Sequence, residues 1–227
     1  MSTRVTVWHE YRHEKKNPKV AEIYPKGMHE AIASHLRNNK DLQVKTATLD
    51  EVDHGLGGDL LDNTDVIVWW GHVAHGDVKD EIVNKVHERV LQGMGIVVLH
   101  SGHFSKIFKK LMGTTCDLKW REDDNEREIL WVTRPGHPIV EGIQDFDVCS
   151  EQYYMHTDPS NRTLATTEFP LASGPHVPNG RFDMPVVWTR SYGKGKVFYN
   201  SLGHQESIVE SEPCLTLMRR GFLWAAK

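Results

Sequence analysis

The sequence has little cysteine, no long apolar run and no excess of positive charge, and each shortage excludes a class of protein. Its three cysteines, Cys116, Cys149 and Cys214, are widely spaced and form no CxxC pair. This usage argues against a disulfide framework or a cysteine-rich zinc site, and it favours reduced thiols in the cytoplasm. No apolar run is long enough to cross a bilayer, so we expect no membrane span. No signal-peptide pattern precedes the first predicted strand.

The charge balance and the length narrow the choice further. The 227 residues carry a formal net charge of −4 at pH 7. Nucleic-acid-binding domains usually present a basic face, so we expect no nucleic-acid partner. The length suits one well-packed core, and no repeat or linker is visible. Residues 1–227 are therefore predicted to form a single domain.

The first half of the chain alternates predicted strands with predicted helices. Apolar runs such as residues 65–70 are typical of central strands in a parallel sheet, whereas apolar residues three and four apart indicate helices. Pro18 argues against a helix early in the first connection. The alternation predicts an α/β fold with a doubly wound, mostly parallel sheet. The predicted strands are 3–8, 42–48, 65–70 and 95–99, and the predicted helices are 23–38, 79–91 and 104–112.

The second half is richer in short strands and in prolines. Strands are predicted at 128–132, 147–149, 162–166, 185–189 and 196–200, some of them antiparallel. They predict a β-rich region added to the parallel sheet in the C-terminal half. Residues 213–226 form a predicted closing helix that turns Leu215, Met218, Phe222 and Trp224 inward.

Histidine, by contrast, is abundant, and several of the 14 histidines follow predicted strands. Ligands of open α/β sheets bind beyond the carboxyl ends of the strands, so these side chains are candidates for a shared polar site. Each histidine taken alone also has a simpler interpretation as a hydrogen-bonded structural residue. The strand-end residues are His9 and Glu10, His72 and His75, His100, Ser101 and His103, and His204.

Two chemistries fit such a site. Neutral imidazoles bind divalent metals, zinc above all, and the predicted ligands are His72, His103, His156 and His204. In that hypothesis His75 or Glu151 transfers protons, and Trp70, Tyr153 and Glu10 contact the substrate. The second hypothesis needs no metal: Ser101 is the nucleophile at a strand–turn–helix elbow, with His204 and Glu206 as base and orienter. Ser101 has a structural alternative as the cap of the following helix.

Several segments carry a family resemblance. WWGHVAHGDV, LHSGHFSKIFKKLMGTTCDLKWRE, RPGHPIVEGI, EQYYMH and GKGKVFYNSLGH together resemble the ThuA-like (trehalose utilisation) family over nearly the whole chain. The resemblance implies the fold of class I glutamine amidotransferases, a flavodoxin-like sheet with an added β-rich region. Those amidotransferases carry a cysteine at the elbow, where this chain has Ser101, so glutamine hydrolysis is not expected.

The resemblance also implies a small-molecule sugar as the partner and a role in the use of trehalose and related disaccharides. Three functions stay open at this point. The first is a metal-dependent enzyme acting on a disaccharide or keto-sugar derivative, and the second is the metal-free hydrolase. The third is a non-catalytic sugar-binding or regulatory protein. A homo-oligomer is an open alternative to a single subunit.

Overall fold

The computed structural model describes residues 2–121, 127–154, 162–168, 184–203 and 211–227. The strands in this part of the chain are β1 (Thr3–His9), β2 (Leu42–Thr48), β3 (Val66–Trp70), β4 (Gly95–Leu99), β5 (Lys119–Arg121), β6 (Arg127–Val132), β7 (Phe146–Cys149), β8 (Gln152–Tyr154), β9 (Arg162–Glu168), β10 (Met184–Tyr192) and β11 (Gly195–Asn200). The α-helices are α1 (His13–Lys16), α2 (Pro18–Ile23), α3 (Met28–Arg37), α4 (Asp80–Gln92), α5 (Lys106–Met112) and α6 (Glu212–Ala225).

The described strands form one large sheet with a parallel half and an antiparallel half. Its order is β2-β1-β3-β4-β11-β10-β9-β6-β7. The first five strands of this order pair in parallel, which is the flavodoxin-like arrangement. The strand order reverses between β1 and β3, and ligands of such sheets bind beyond the carboxyl ends of the strands at this point. The predicted α/β fold is confirmed.

The added β-rich region extends the same sheet. From β11 onward the neighbours pair antiparallel, through β10, β9, β6 and β7. Outside this sheet, β5 and β8 form a two-stranded antiparallel ribbon that pairs Trp120 with Tyr153. The ribbon brings two distant segments of the chain together near the end of the parallel half.

Helices cover both faces of the parallel half, because successive side chains of a strand point to opposite faces. Val66, Val68 and Trp70 of β3 belong to the core cluster that also contains residues of α3 and α6. Ile67 and Trp69 belong to the other cluster, with residues of α4 and α5. Within the described residues, no helix is both long enough and apolar enough to span a membrane.

Three sequence-based expectations about helices differ in detail from the structure. Pro18 does not prevent an early helix but begins α2, because proline lacks only an N–H that the first helical position does not use. The helix predicted from residue 104 begins at Lys106, after a 3₁₀ turn over His100–Phe104. In α6 the buried face includes Cys214 and Leu217 as well as the predicted Phe222, and the predicted Met218 and Trp224 are half-buried and pack against the core. Leu215 is half-buried.

Candidate active site

The strand-to-helix turn after β4 is strained at one residue. His100 has a φ of 43°, in the left-handed region that residues with a side chain rarely adopt. Such strain persists only where the surrounding structure imposes it, and it is found most often at functional sites. The elbow residue is thus His100, one position before the serine that the sequence pattern singled out.

The two ring nitrogens of His100 face different partners. Nδ1 lies 2.8 Å from the carbonyl oxygen of Ser201, which only accepts, so Nδ1 carries a proton and donates it. Nε2 lies 3.3 Å from a carboxylate oxygen of Glu151 and 3.4 Å from the hydroxyl of Tyr153. The Tyr153 hydroxyl has two acceptors within reach, the Glu151 carboxylate and Nε2 of a neutral His100 ring, and a protonated ring donates to Glu151. The ring therefore has a partner in both protonation states.

This group is almost completely removed from water. His100, Glu151 and Tyr153 are all buried, and the rings of His100 and Tyr153 stack with centroids 5.1 Å apart. Burial, with the nearby Glu151 carboxylate, raises the pKa of Tyr153 well above its usual value. Tyr153 therefore keeps its proton at neutral pH and acts as a hydrogen-bond donor. In a desolvated site, the interactions among these groups are stronger than in water.

Ser101 has a structural contact instead of an exposed hydroxyl. Its Oγ donates to the carbonyl oxygen of Gly71, 2.8 Å away, and so joins the turn after β4 to the end of β3. The alternative role of capping the next helix falls to Ser105, whose Oγ accepts from the N–H of Phe108. The proposed base and orienter of the hydrolase hypothesis, His204 and Glu206, lie outside the described residues.

Glu10 and His75 meet beside Gly71, at the switch point between β1 and β3. The Glu10 carboxylate accepts from the backbone N–H groups of Val73 and Ala74, at 2.7 and 2.9 Å. A Cβ at Gly71 would lie 3.1 Å from His75 Nδ1 and 3.2 Å from Glu10 Oε2, so glycine leaves room for both side chains. Glu10 thus supports the loop after β3.

His75 is neutral at neutral pH. Burial lowers its pKa, and Glu10 opposes this effect only in part. Nearby His103 also lowers the pKa of His75, which shows that these two predicted site residues lie in one neighbourhood. Nε2 of His75 is buried and has no hydrogen-bond partner among the described residues. His75 thus has a free ring nitrogen for a bound molecule.

His103 and His72, two of the predicted metal ligands, have aromatic surroundings. The fully buried ring of His103 lies 5.2 Å from the rings of Phe108 and Tyr199. The ring of His72 stacks on that of His13 at 4.7 Å and is nearly parallel to that of Trp70 at 5.9 Å. Trp70 itself is buried.

The described residues do not assemble a metal site. Among them, no group of three or more His, Cys, Asp or Glu side chains is arranged to hold a metal ion. The other two predicted ligands, His156 and His204, lie outside the described residues. The metal centre therefore stays a prediction, and no step of the chemistry below is derived through a metal.

A second histidine cluster lies at the end of β1. His9 Nδ1 is 3.3 Å from His29 Nδ1 and 3.6 Å from a carboxylate oxygen of Glu14. The pKa of His9 is lowered to about 2, first by burial and then by His29, His13 and His72. His9 is therefore neutral in the folded protein.

The sequence did not reveal the role of His100, nor that Trp120 and Phe104 lie near the candidate site. Trp120 is 56% exposed, although tryptophan is a largely buried residue type, and its ring contacts that of Phe104 at 6.4 Å. Phe104 in turn contacts the rings of His75 and His103. The only sequence signal was position, because Phe104 follows the elbow and Trp120 lies in the segment that carries the resemblance.

Comparison with known proteins decides the family. The model of the ThuA family, described as trehalose utilisation, matches residues 4–225. The chain belongs to the ThuA family. Among curated proteins, no sequence matches this one.

Solved structures agree with this ThuA assignment at the level of the fold. A ThuA-like protein from Parabacteroides merdae has a TM-score of 0.69 and 17% identity, covering 100% of this chain and 91% of that one. A protein from Salmonella typhimurium LT2, described as cytoplasmic, has a TM-score of 0.65 and 12% identity, covering 99% and 100%. A β-galactosidase from Bacillus circulans sp. alkalophilus has a TM-score of 0.59 and 13% identity, covering 99% of this chain but 30% of the enzyme. Such low identities show a shared fold and not a shared activity.

Proposed function

We propose that this ThuA-family protein is an enzyme that transfers protons on a disaccharide or keto-sugar derivative, with His100 as the acid–base residue. One observation carries the proposal: a strained, buried histidine at the elbow has Nδ1 fixed by a carbonyl and Nε2 facing a carboxylate and a phenol. An imidazole with one ring nitrogen fixed as a donor and the other facing a carboxylate and a phenol is placed for general acid–base catalysis. The family supports the sugar as the substrate class.

The proposed chemistry is enolisation next to a ring ketone. Neutral His100 accepts at Nε2 the proton of the carbon beside the carbonyl. The electron pair of that C–H bond forms the C=C bond, and the π pair of the carbonyl moves to oxygen to give the enolate. The Tyr153 hydroxyl keeps its proton and donates a hydrogen bond to the enolate oxygen. The Glu151 carboxylate stabilises the imidazolium that forms. Return of the proton to carbon completes the exchange with no net oxidation.

Trp120 and Phe104 are the proposed sugar contacts. Sugar rings present apolar C–H faces that pack on aromatic rings, and an exposed tryptophan supplies a large, rigid surface for this contact. Trp120 and Tyr153 are paired across the β5–β8 ribbon, and directly paired residues lie on the same face of an antiparallel pair. The pairing of β5 with β8 thus places the exposed Trp120 next to Tyr153 of the proposed site.

Deuterium exchange tests the proposal without knowledge of the final product. Trehalose oxidised to a ketone in one ring is incubated in D₂O with the protein, and NMR follows loss of the proton beside the carbonyl. We expect the wild type to accelerate this exchange and Glu151→Gln to slow it about 10- to 100-fold, since the imidazolium loses its counter-charge. His87→Gln is the matched control, because His87 bonds to Tyr192 away from the elbow. A wild-type rate equal to the uncatalysed rate would overturn the proposal.

A further inference from the structure

A largely apolar cavity of about 310 Å³ lies on the face of the sheet that carries α3 and α6. Its floor contains Trp70 and Leu99, the last residues of β3 and β4, together with Leu202 and Gly203 beyond β11. These positions place the cavity at the carboxyl edge of the sheet, where ligands of this fold class bind. The proposed proton transfer does not use this space, and of its lining residues only Trp70 was predicted from the sequence to contact a substrate.

The walls of the cavity are apolar stripes of the two helices. Each stripe repeats at helical spacing, so one face of each helix is turned toward the other across the cavity. This arrangement also explains why Leu215 and Met218 of α6 are only half-buried. The wall residues are Met28, Ile32 and Leu36 of α3 and Leu215, Met218 and Phe222 of α6.

The polar groups at the cavity are mainly basic. Arg219 and His35 both line it and are both exposed to solvent. Among the described residues that line the cavity, none is acidic. An anionic group on a bound molecule would therefore lie near the Arg219 guanidinium at the solvent side, with no carboxylate of the lining to repel it. The apolar part of the same molecule would contact only hydrocarbon and aromatic side chains.

We propose that this cavity binds a small molecule with a flat apolar body of about two rings and a single carboxylate directed at Arg219. Small-molecule sites typically have volumes from about 300 Å³ upward and combine apolar walls with a few polar groups. A dry cavity of about 150 Å³ holds one benzene ring, so roughly twice that volume holds a two-ring body. None of the residues that line this cavity belongs to the proposed sugar site, although a Cβ at Gly203 would lie 3.7 Å from the Cβ of His100.

Calorimetric titration with 2-naphthoate, and with the neutral 2-naphthylmethanol, tests this site in the full-length protein. We expect both probes to bind the wild type at one site. Arg219→Gln weakens 2-naphthoate about five- to tenfold and leaves the neutral alcohol unchanged, because only the anion uses the guanidinium. Arg37→Gln is the matched control, since Arg37 is a surface cation of α3 that pairs with Glu30 outside the cavity.

Two cavity-filling variants on opposite walls complete the test. Ile32→Trp and Leu215→Trp each occupy the space of the probe, and we expect at least a tenfold loss of affinity for both probes. If one variant does not fold, as judged by circular dichroism, the other decides. Failure of either probe to bind the wild type, or unchanged affinity in a folded tryptophan variant, overturns the site. If Arg219→Gln weakens both probes equally, Arg219 does not bind the carboxylate of the ligand. None of these outcomes depends on sugar turnover.

Discussion

Histidines at the carboxyl edge differ in what holds their ring nitrogens. In His54, Nδ1 lies 2.7 Å from the carbonyl of Leu49 and Nε2 accepts from the N–H of Lys79, so both nitrogens serve the fold. In His100, Nδ1 faces a backbone carbonyl in the same way, but Nε2 faces the Glu151 carboxylate and the Tyr153 hydroxyl. The sequence could predict that histidines gather at this edge. It could not predict which ring faces ionisable side chains instead of the backbone, because that depends on partners distant in the chain.

Ser101 provides the first prediction at this scale. Ser101→Ala removes the hydrogen bond to Gly71 and leaves a buried carbonyl without this donor, so the free energy of unfolding should fall by about 1–2 kcal/mol. Urea denaturation measures this loss. The exchange rate on the keto-sugar should fall less than tenfold, whereas the hydrolase hypothesis requires that the variant lose turnover altogether.

His9 provides a prediction on pH dependence. Its pKa is about 2 in the folded protein and near 6.5 when unfolded, so the unfolded state binds one more proton as the pH falls below 6.5. Stability therefore declines with acidification by about 1.4 kcal/mol per pH unit for this group. His9→Asn should reduce the slope of unfolding free energy against pH between about pH 6 and pH 5. An unchanged slope would show that His9 is not held neutral.

At the scale of elements, the β5–β8 ribbon is the part of the site that periodicity did not predict. Its strands are three residues each, too short for an alternation pattern, and they pair across about thirty residues of chain. The terminal helix shows a related limit: its apolar stripe was visible, but an apolar stripe can line a cavity as well as a core. Burial of a helix face depends on its neighbours and not on its own spacing.

Trp120 tests the role of this ribbon. Trp120→Ala should raise the KM of the exchange reaction about tenfold with little change in kcat, because the ring contacts the sugar and not the reacting carbon. Trp120→Phe should restore part of the affinity. Since Trp120 is 56% exposed, the unfolding midpoints of both variants should differ little from that of the wild type. A KM that is the same in all three proteins would remove Trp120 from the sugar site.

At the scale of the whole molecule, most of the architecture followed from the sequence. Near-continuous apolar strands alternating with amphipathic helices dictate a covered parallel sheet, and the strands of the β-rich region were predicted within a few residues. The strand order could not be predicted from the sequence, because the final parallel strand β11 pairs with β4, which lies about a hundred residues earlier in the chain. That pairing also brings Ser201 to His100, which no local pattern encodes.

The metal hypothesis also belongs to this scale, since its ligands come from distant segments. Protein purified without an affinity tag is analysed for metals by mass spectrometry, together with His103→Ala and His204→Ala. The hypothesis predicts about one equivalent of a divalent ion, zinc above all, in the wild type and loss of that ion in both variants. Equal metal content in all three proteins would remove these histidines as ligands.

The deuterium exchange rate of His100→Gln is the most direct test of His100 as the acid–base residue. Glutamine fills similar space but cannot take up a proton at neutral pH. We expect exchange beside the ketone to slow at least 100-fold in His100→Gln, whereas His87→Gln should keep the wild-type rate. If a folded His100→Gln protein exchanges as fast as the wild type, His100 is not the acid–base residue.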